Sequence, residues 1–354
     1  MKKMMRTTLA VGGLFALACS GNSEEDGPTN EPPPPPSTEE PVGEAAPTLE
    51  PGEVPYDFPR MSSQGRDGQF ALVPSREFLD RAIADDGQGT FIYYGATITT
   101  AGSPESTIKS LAGTTFAMPN AMIIPISSGQ KAKKGDILLG HWESGSGLQR
   151  AIMVGGTSTE PVVRYLDMDY DNPSGWGQKE DTWQADRFSV LSEPWQVGTT
   201  AACGESNDRK HGILTAVSGG RLLVSGFAGS ISAYSRDECV ALSPKPTVAA
   251  GDTVWVPVVG SYTEGQVSRV DAEIGRVFVT YDWGGQQKEG AFGLMDVAPD
   301  FVQPTGTVVT TPEPVPGEEA HPGAGRTRKV PKGTRATGPR GKSGKSGKSG
   351  GGGR

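Results

Sequence analysis

Cysteine, histidine and aromatic residues are all scarce in this chain: 354 residues carry three cysteines, three histidines and 7% Phe, Trp and Tyr. The histidines, His141, His211 and His321, are scattered and stand at no metal-ligand spacing from the cysteines, which argues against zinc. Also missing are a Gly-x-Ser-x-Gly elbow, a His-Glu-x-x-His helix and a phosphate-binding loop, so the sequence marks no catalytic residue and implies no cofactor. His211 follows the polar run Asn207-Asp208-Arg209-Lys210 and is expected on an exposed loop. An envelope hydrolase built on two carboxylates leaves no local trace and stays as the alternative reading.

Long apolar runs are lacking too. The run from Leu9 to Ala18 is too short to span a bilayer, which takes roughly 20 apolar residues. It follows Lys2, Lys3 and Arg6, and a cationic start before a short apolar segment reads as a signal peptide over 1–18. The segment Ala16-Leu17-Ala18-Cys19 resembles the bacterial lipobox, with Ala16 where leucine is usual. The resemblance implies cleavage before Cys19 and a lipid on its thiol. Residues 19–62 then have no basic residue before Arg60 and include Pro32 to Pro36, a composition that buries too little apolar surface to fold and reads as an acidic tether. Ser20 is not the aspartate associated with inner-membrane retention, so the resemblance points to the outer membrane of a Gram-negative envelope.

With Cys19 assigned to lipid, Cys203 and Cys239 remain as a pair in an oxidising compartment, and a disulfide between them is expected. Closing a loop of that length contributes about 3 to 4 kcal/mol.

The net charge of -8 hides an asymmetry. Within 303–354, every charge from Arg326 onward is positive: Arg326, Arg328, Lys329, Lys332, Arg335, Arg340, Lys342, Lys345, Lys348 and Arg354. Its glycine content argues against a helix, so it reads as a flexible polycation suited to anionic polymers. In an envelope these are lipopolysaccharide, anionic polysaccharide or extracellular DNA, and nucleic acid inside the cell is not an expected partner.

What is abundant is glycine, 50 residues, punctuating short β-branched and aromatic runs, which favours strands and turns. The folded part is expected to be all-β with one short helix. That helix is Ser75 to Ala84, with Phe78, Leu79, Ala82 and Ile83 on one face and Ser75 as a candidate N-cap. It lies in an N-terminal β-rich region, 63–129, where Thr90 to Thr99 and Thr114 to Ile126 read as strands.

Two later regions, 130–198 and 246–302, look like divergent copies of one unit. Gly135-Asp136-Ile137-Leu138 parallels Gly251-Asp252-Thr253-Val254, and an Arg-bearing strand, a strand ending in Tyr near Asp, a polar insert and a closing strand follow in each. Between them, the disulfide-closed segment 199–245 is a candidate degenerate copy. This order resembles the small SH3-like barrels of the Tudor and agenet type, most clearly over Gly251 to Pro299, and the resemblance implies tandem SH3-like barrels flanked by disordered termini. Such barrels commonly bind peptides through aromatic cages. The candidates are Trp142, Tyr165 and Tyr170 in the earlier copy and Tyr262, Tyr281 and Trp283 in the later one.

A second candidate site is the alternate carboxylates Asp167, Asp169 and Asp171, whose oxygens suit calcium. The EF-hand pattern fails, because Asn172 stands at its glycine and Gln178 at its bidentate glutamate. The expectation is therefore a lipid-anchored binding or scaffolding protein of the cell envelope. Its partners would be the membrane through Cys19 and an envelope protein, glycan or anionic polymer.

Overall fold

A computed structural model describes residues 49–142 and 147–302. Cys19, the acidic tether up to residue 48 and the whole basic tail lie outside the described residues, as does most of the turn Gly145 to Gly147. Strands are the main regular structure of the described residues, with one α-helix among them. No described helix is long and apolar enough to cross a membrane.

The first sheet contains β1 (Phe70–Pro74), β2 (Tyr93–Thr100), β3 (Glu105–Ser110), β4 (Thr115–Pro119) and β5 (Ile124–Pro125), in the order β4-β3-β2-β1-β5. Helix α1 (Arg76–Ala84) sits in the β1–β2 connection and buries Leu79 and Ala82. Ser75 occupies its N-cap position with extended backbone, but its side chain makes no capping bond; its carbonyl accepts from Phe78 N instead.

The second sheet contains β6 (Ile137–His141), β7 (Leu148–Gly156), β8 (Pro161–Tyr165), β9 (Asp181–Thr182) and β10 (Phe188–Leu191), in the order β10-β6-β7-β8-β9. The remaining strands form one larger sheet. Of these, β11 (Thr200–Cys203), β12 (Lys210–Ser218), β13 (Arg221–Ser225), β14 (Ile231–Ser235) and β15 (Cys239–Ala241) pair as β15-β11-β12-β13-β14. They are followed by β16 (Thr253–Val258), β17 (Ser261–Asp271), β18 (Arg276–Trp283) and β19 (Gln286–Gly293), paired consecutively, with Ala298 bridging back to Trp255.

The same strand order therefore occurs four times: the closing segment pairs with the first strand, and the others follow in sequence. One local device recurs in all four copies. Gly68, Gly135, Gly198 and Gly251 each have a positive φ, between 78° and 97°, the region glycine adopts without a Cβ clash. Their N–H groups donate to the carbonyls of Ile98, Met153, Leu214 and Val267, and those four residues donate back to the carbonyls of Gln69, Asp136, Thr199 and Asp252. In each copy the second strand then shifts register at once, at Ile98/Thr100, Met153/Gly155, Leu214/Ala216 and Val267/Arg269. Such a bulge bends and twists a strand, which curls a short sheet around its core.

Sequence alone places this unit at the second and fourth positions and suggests it at the third. The first position carries it as well. Among the described residues no pairing joins the last-ordered strand of a copy to its closing segment, so the copies are curled units, of five strands in the first three and of four strands plus a bridge in the fourth.

The disulfide joins Cys203 to Cys239, which face each other across β11 and β15 with Cα atoms 4.0 Å apart. It ties the first strand of the third copy to its closing strand.

Candidate functional site

Arg150, on β7 of the second copy, is wholly buried. Burying a guanidinium costs several kcal/mol unless its donors are met. Here they are. Its Nε donates to both oxygens of Asp167 at 2.9 and 3.1 Å, its Nη2 to Asp167 and to Asp296 Oδ1 at 2.9 Å, and its Nη1 to Thr200 Oγ1. Asp296, in the 3₁₀ turn Leu294–Asp296 of the fourth copy, also accepts from Thr200 Oγ1 at 2.7 Å and from His211 Nε2 at 2.9 Å. One carboxylate oxygen thus gathers donors from the second and third copies. Burial pulls the Asp296 carboxyl upward, but the facing Arg150 guanidinium and His211 outweigh it and hold the group well below the ordinary carboxylate range.

Arg276, on β18, reaches the other way. Its Nη2 donates to the carbonyls of Tyr165 at 2.7 Å and Met168 at 2.9 Å, closing the second copy against the fourth. Burial pushes its pKa down from the usual value, although Asp167 and Asp296 oppose this.

His211 corrects a sequence expectation. It lies within β12, not on a loop, and is half-buried. Its backbone N–H donates to Gly260 O at 2.9 Å, and its ring packs edge-on to Tyr262 with centroids 6.0 Å apart. Two cavities of about 260 Å³ each adjoin it, and His211 and Gly226 line both.

The cavity between the third and fourth copies is walled by Lys210, Phe227, Tyr234 and Val259, with the disulfide residue Cys203 also on its wall. The other reaches into the first and second copies at Phe91, Tyr93 and Leu148, with Ile213 opposite. Between them, the two cavities draw their walls from all four copies, and both touch His211.

The rim of the first cavity is unusual. Phe227 is 60% exposed and Val259 61% exposed, so two large apolar side chains stand in solvent. Both sit beside left-handed backbone: Ala228 has φ 55° and Val259 itself has φ 49°, rare for any residue with a Cβ and a genuine outlier for a β-branched one. Next to Val259, Gly260 has φ +81°, and a Cβ there would lie 2.6 Å from Phe227 Cβ, so glycine is needed for the two loops to meet. Lys210 Nζ bonds Ser261 Oγ at 2.9 Å and pairs with the exposed Asp208 at 2.7 Å.

The aromatic candidates separate. Trp142 and Tyr165 do come together, at 6.2 Å, but with Trp176 and the buried Trp183 in place of Tyr170. The Lys179 ammonium sits 5.2 Å from the Trp176 ring centre. Tyr170 packs instead on Phe278 of the fourth copy at 5.7 Å. Tyr262 packs on His211 and Phe301, Tyr281 on Phe292, and Trp283 stands 43% exposed at the β18–β19 turn. The three fourth-copy aromatics form no common cage among these contacts.

The carboxylates Asp167, Asp169 and Asp171 do not converge either. Asp167 is committed to Arg150, and Asp169 Oδ1 accepts from Asp171 N at 2.9 Å in a turn. Among the described residues no group of three or more His, Cys, Asp or Glu side chains is placed to hold a metal ion.

Sequence reasoning missed Arg150 and Asp296, whose partners lie far away in the chain. A buried arginine on a strand of otherwise apolar residues, Ala151-Ile152-Met153-Val154, was the one available signal. No protein-family model matches this chain, and no curated protein matches it.

Proposed function

We propose that the protein is an exported, lipid-anchored binding protein of the cell envelope, in which four SH3-like units present one ligand cleft around His211. The single observation that carries the reading is that two cavities sharing His211 draw their walls from all four copies. Independent beads on a string would each keep a separate site. Here Phe91, Leu148, His211 and Val259, one from each copy, border two cavities that share residues.

Binding is favoured over a carboxylate hydrolase by the state of the buried acids. Among the described residues the buried carboxylates are Asp136 and Asp296. Asp296 takes three donors on one oxygen, and Asp136 caps its own turn and pairs with Lys245 at 3.0 Å. Neither is left to transfer a proton to a substrate. Exposed apolar groups on strained backbone are instead what a contact surface needs.

Two experiments test the two parts. For the anchor, Cys19→Ser is expected to abolish fatty-acid labelling and release the protein from the membrane fraction; retention of both sinks that part. For the cleft, a photo-crosslinking residue at Phe227 is expected to give an adduct of discrete mass in the producing cell. The same probe at exposed Lys109 on β3 should give none, and equal labelling at both sites overturns the cleft.

A further inference from the structure

Resting on the lipid anchor of that reading, we infer that the corner Lys131-Ala132-Lys133-Lys134 of the second copy is a contact for an anionic lipid surface, which it meets through its three ammonium groups.

The fourth copy builds the same corner without cations. Lys133 N donates to Asp136 Oδ2 at 3.0 Å, and Ala249 N donates to Asp252 Oδ2 at 2.7 Å. In return, Asp136 N and Asp252 N donate to the carbonyls of Lys133 and Ala249, at 2.9 and 3.1 Å. Ala132 and Val248 are the residues that each corner turns toward the core of its own copy. Thr247, Ala249 and Ala250 therefore serve this backbone where the second copy has Lys131, Lys133 and Lys134. The first and third copies place Arg66-Asp67 and Gln196-Val197 before their corner glycines, so two adjacent cations occur there in the second copy alone. Folding does not ask for them.

The lysines are also left unpaired in a chain with acid to spare. All three are exposed, and among the described residues none of them makes an ion pair. The net charge of -8 already includes the cations of the tail, so the rest of the chain carries a larger acidic excess. Asp136, the acid of the corner itself, is buried and taken by Lys245 at 3.0 Å. The corner thus keeps its positive charge. It is also held in place, because Ala132 N donates to Ser158 O at 2.8 Å.

Lysine is a compact point charge on a flexible stem, without the planar fork by which arginine grips one phosphate or carboxylate. Three of them on an exposed turn suit many charges spread over a plane, as anionic phospholipid headgroups are. Each lysine near such a surface favours binding by about fivefold. A lipid on Cys19 holds the body beside the bilayer, and the acid-rich remainder is repelled from it, so the corner sets which side of the body faces the membrane.

The test uses the full chain carrying Cys19→Ser, so that no acyl group assists, sedimented with mixed phosphatidylglycerol and phosphatidylcholine vesicles or with phosphatidylcholine alone. Lys133→Ala with Lys134→Ala reproduces the residues of the fourth copy, and Lys109→Ala with Lys288→Ala removes the same charge from two other exposed lysines. The corner pair is expected to weaken binding to the anionic vesicles at least about tenfold and the other pair less than about twofold, with thermal midpoints unchanged. No binding by the parent chain, equal binding to neutral vesicles, or equal losses from the two pairs overturns the proposal. A loss seen only on oligogalacturonate or duplex DNA, and not on vesicles, overturns the lipid assignment. Fatty-acid labelling at Cys19 is read separately. A labelled Cys19 with an indifferent corner sinks this contact and leaves the anchor, whereas an unlabelled Cys19 with a tenfold corner loss does the reverse.

Discussion

Arg150 and Asp296 are 146 residues apart in the chain, yet a 2.9 Å hydrogen bond joins them inside the protein. The bond crosses from the second copy of the strand unit to the fourth, and Thr200 of the third shares both partners. Removing Asp296 leaves Arg150 paired with Asp167 alone and takes the acceptor from Thr200 and His211. Asp296→Ala is therefore expected to cost about 1–3 kcal/mol in urea unfolding, the scale for buried donors left without an acceptor. A loss below about 1 kcal/mol would mean that water reaches Arg150.

Acid should unfold the protein in two stages. Burial, with Arg187 nearby, holds His141 below its ordinary value of 6.5, so the unfolded chain binds a proton that the folded one refuses. That stability is complete above pH 6.5 and is lost as pH falls below it. Asp296 is held below its ordinary 3.8, so its contribution is complete above that value and lost as pH falls toward its folded-state pKa. Denaturant midpoints measured from pH 8 to pH 3 should decline in both ranges. His141→Phe should flatten only the upper one.

The third copy depends on its disulfide. Replacing Cys203 and Cys239 together by alanine is expected to cost about 3–4 kcal/mol, because the loop they close spans a sequence separation of 36. Comparing unfolding with and without reductant gives the same quantity by a second route.

Val259→Gly should stabilise the fold while weakening the cleft. Glycine removes the left-handed penalty of a β-branched residue, about 1–2 kcal/mol, against a smaller gain in unfolded-chain entropy. A raised thermal midpoint with a weaker crosslink from the probe at Phe227 is the expected pair of results. A lowered midpoint would show that the Val259 side chain packs more than its exposure indicates.

The basic tail is tested apart from the cleft by truncation. Deleting Arg326 to Arg354 is expected to reduce salt-dependent binding to lipopolysaccharide or DNA, since each lysine or arginine removed takes a counterion-release contribution with it. Unchanged binding would show that the tail has no such partner.

The β class was readable because β-branched and aromatic runs alternate with glycine, and helix α1 because Leu79 and Ala82 keep a helical period. The repeat was readable only where its corner kept one residue type. Asp136 and Asp252 each accept from the backbone three residues earlier, at Lys133 and Ala249, and so both copies spell Gly-Asp. At the first corner Gln69 does the same for Arg66, and at the third Thr199 bonds Gln196 O with its hydroxyl. Different side chains satisfy the same geometry, so the pattern disappears from the letters while the backbone keeps it.

The insertion of α1 between β1 and β2, and the polar strand β3, hid the first copy further. The cleft was not legible at all, because its residues come from four copies and meet only through tertiary packing. His211 looked like a loop residue from its charged neighbours, whereas β12 continues through it to pair with β11 and, at Lys210, with β17.

That last pairing changes how the array would carry a pulling force. With Lys210 opposite Ser261, the third and fourth copies are stitched into one continuous sheet, and Arg150 bolts the second copy to the same block. Tension applied between the second and fourth copies would load the antiparallel ladder and the buried ion pair together, not a string of hinges. These three copies should respond to stretching as a stiff strut that fails in a single event, and not as a spring that yields one unit at a time.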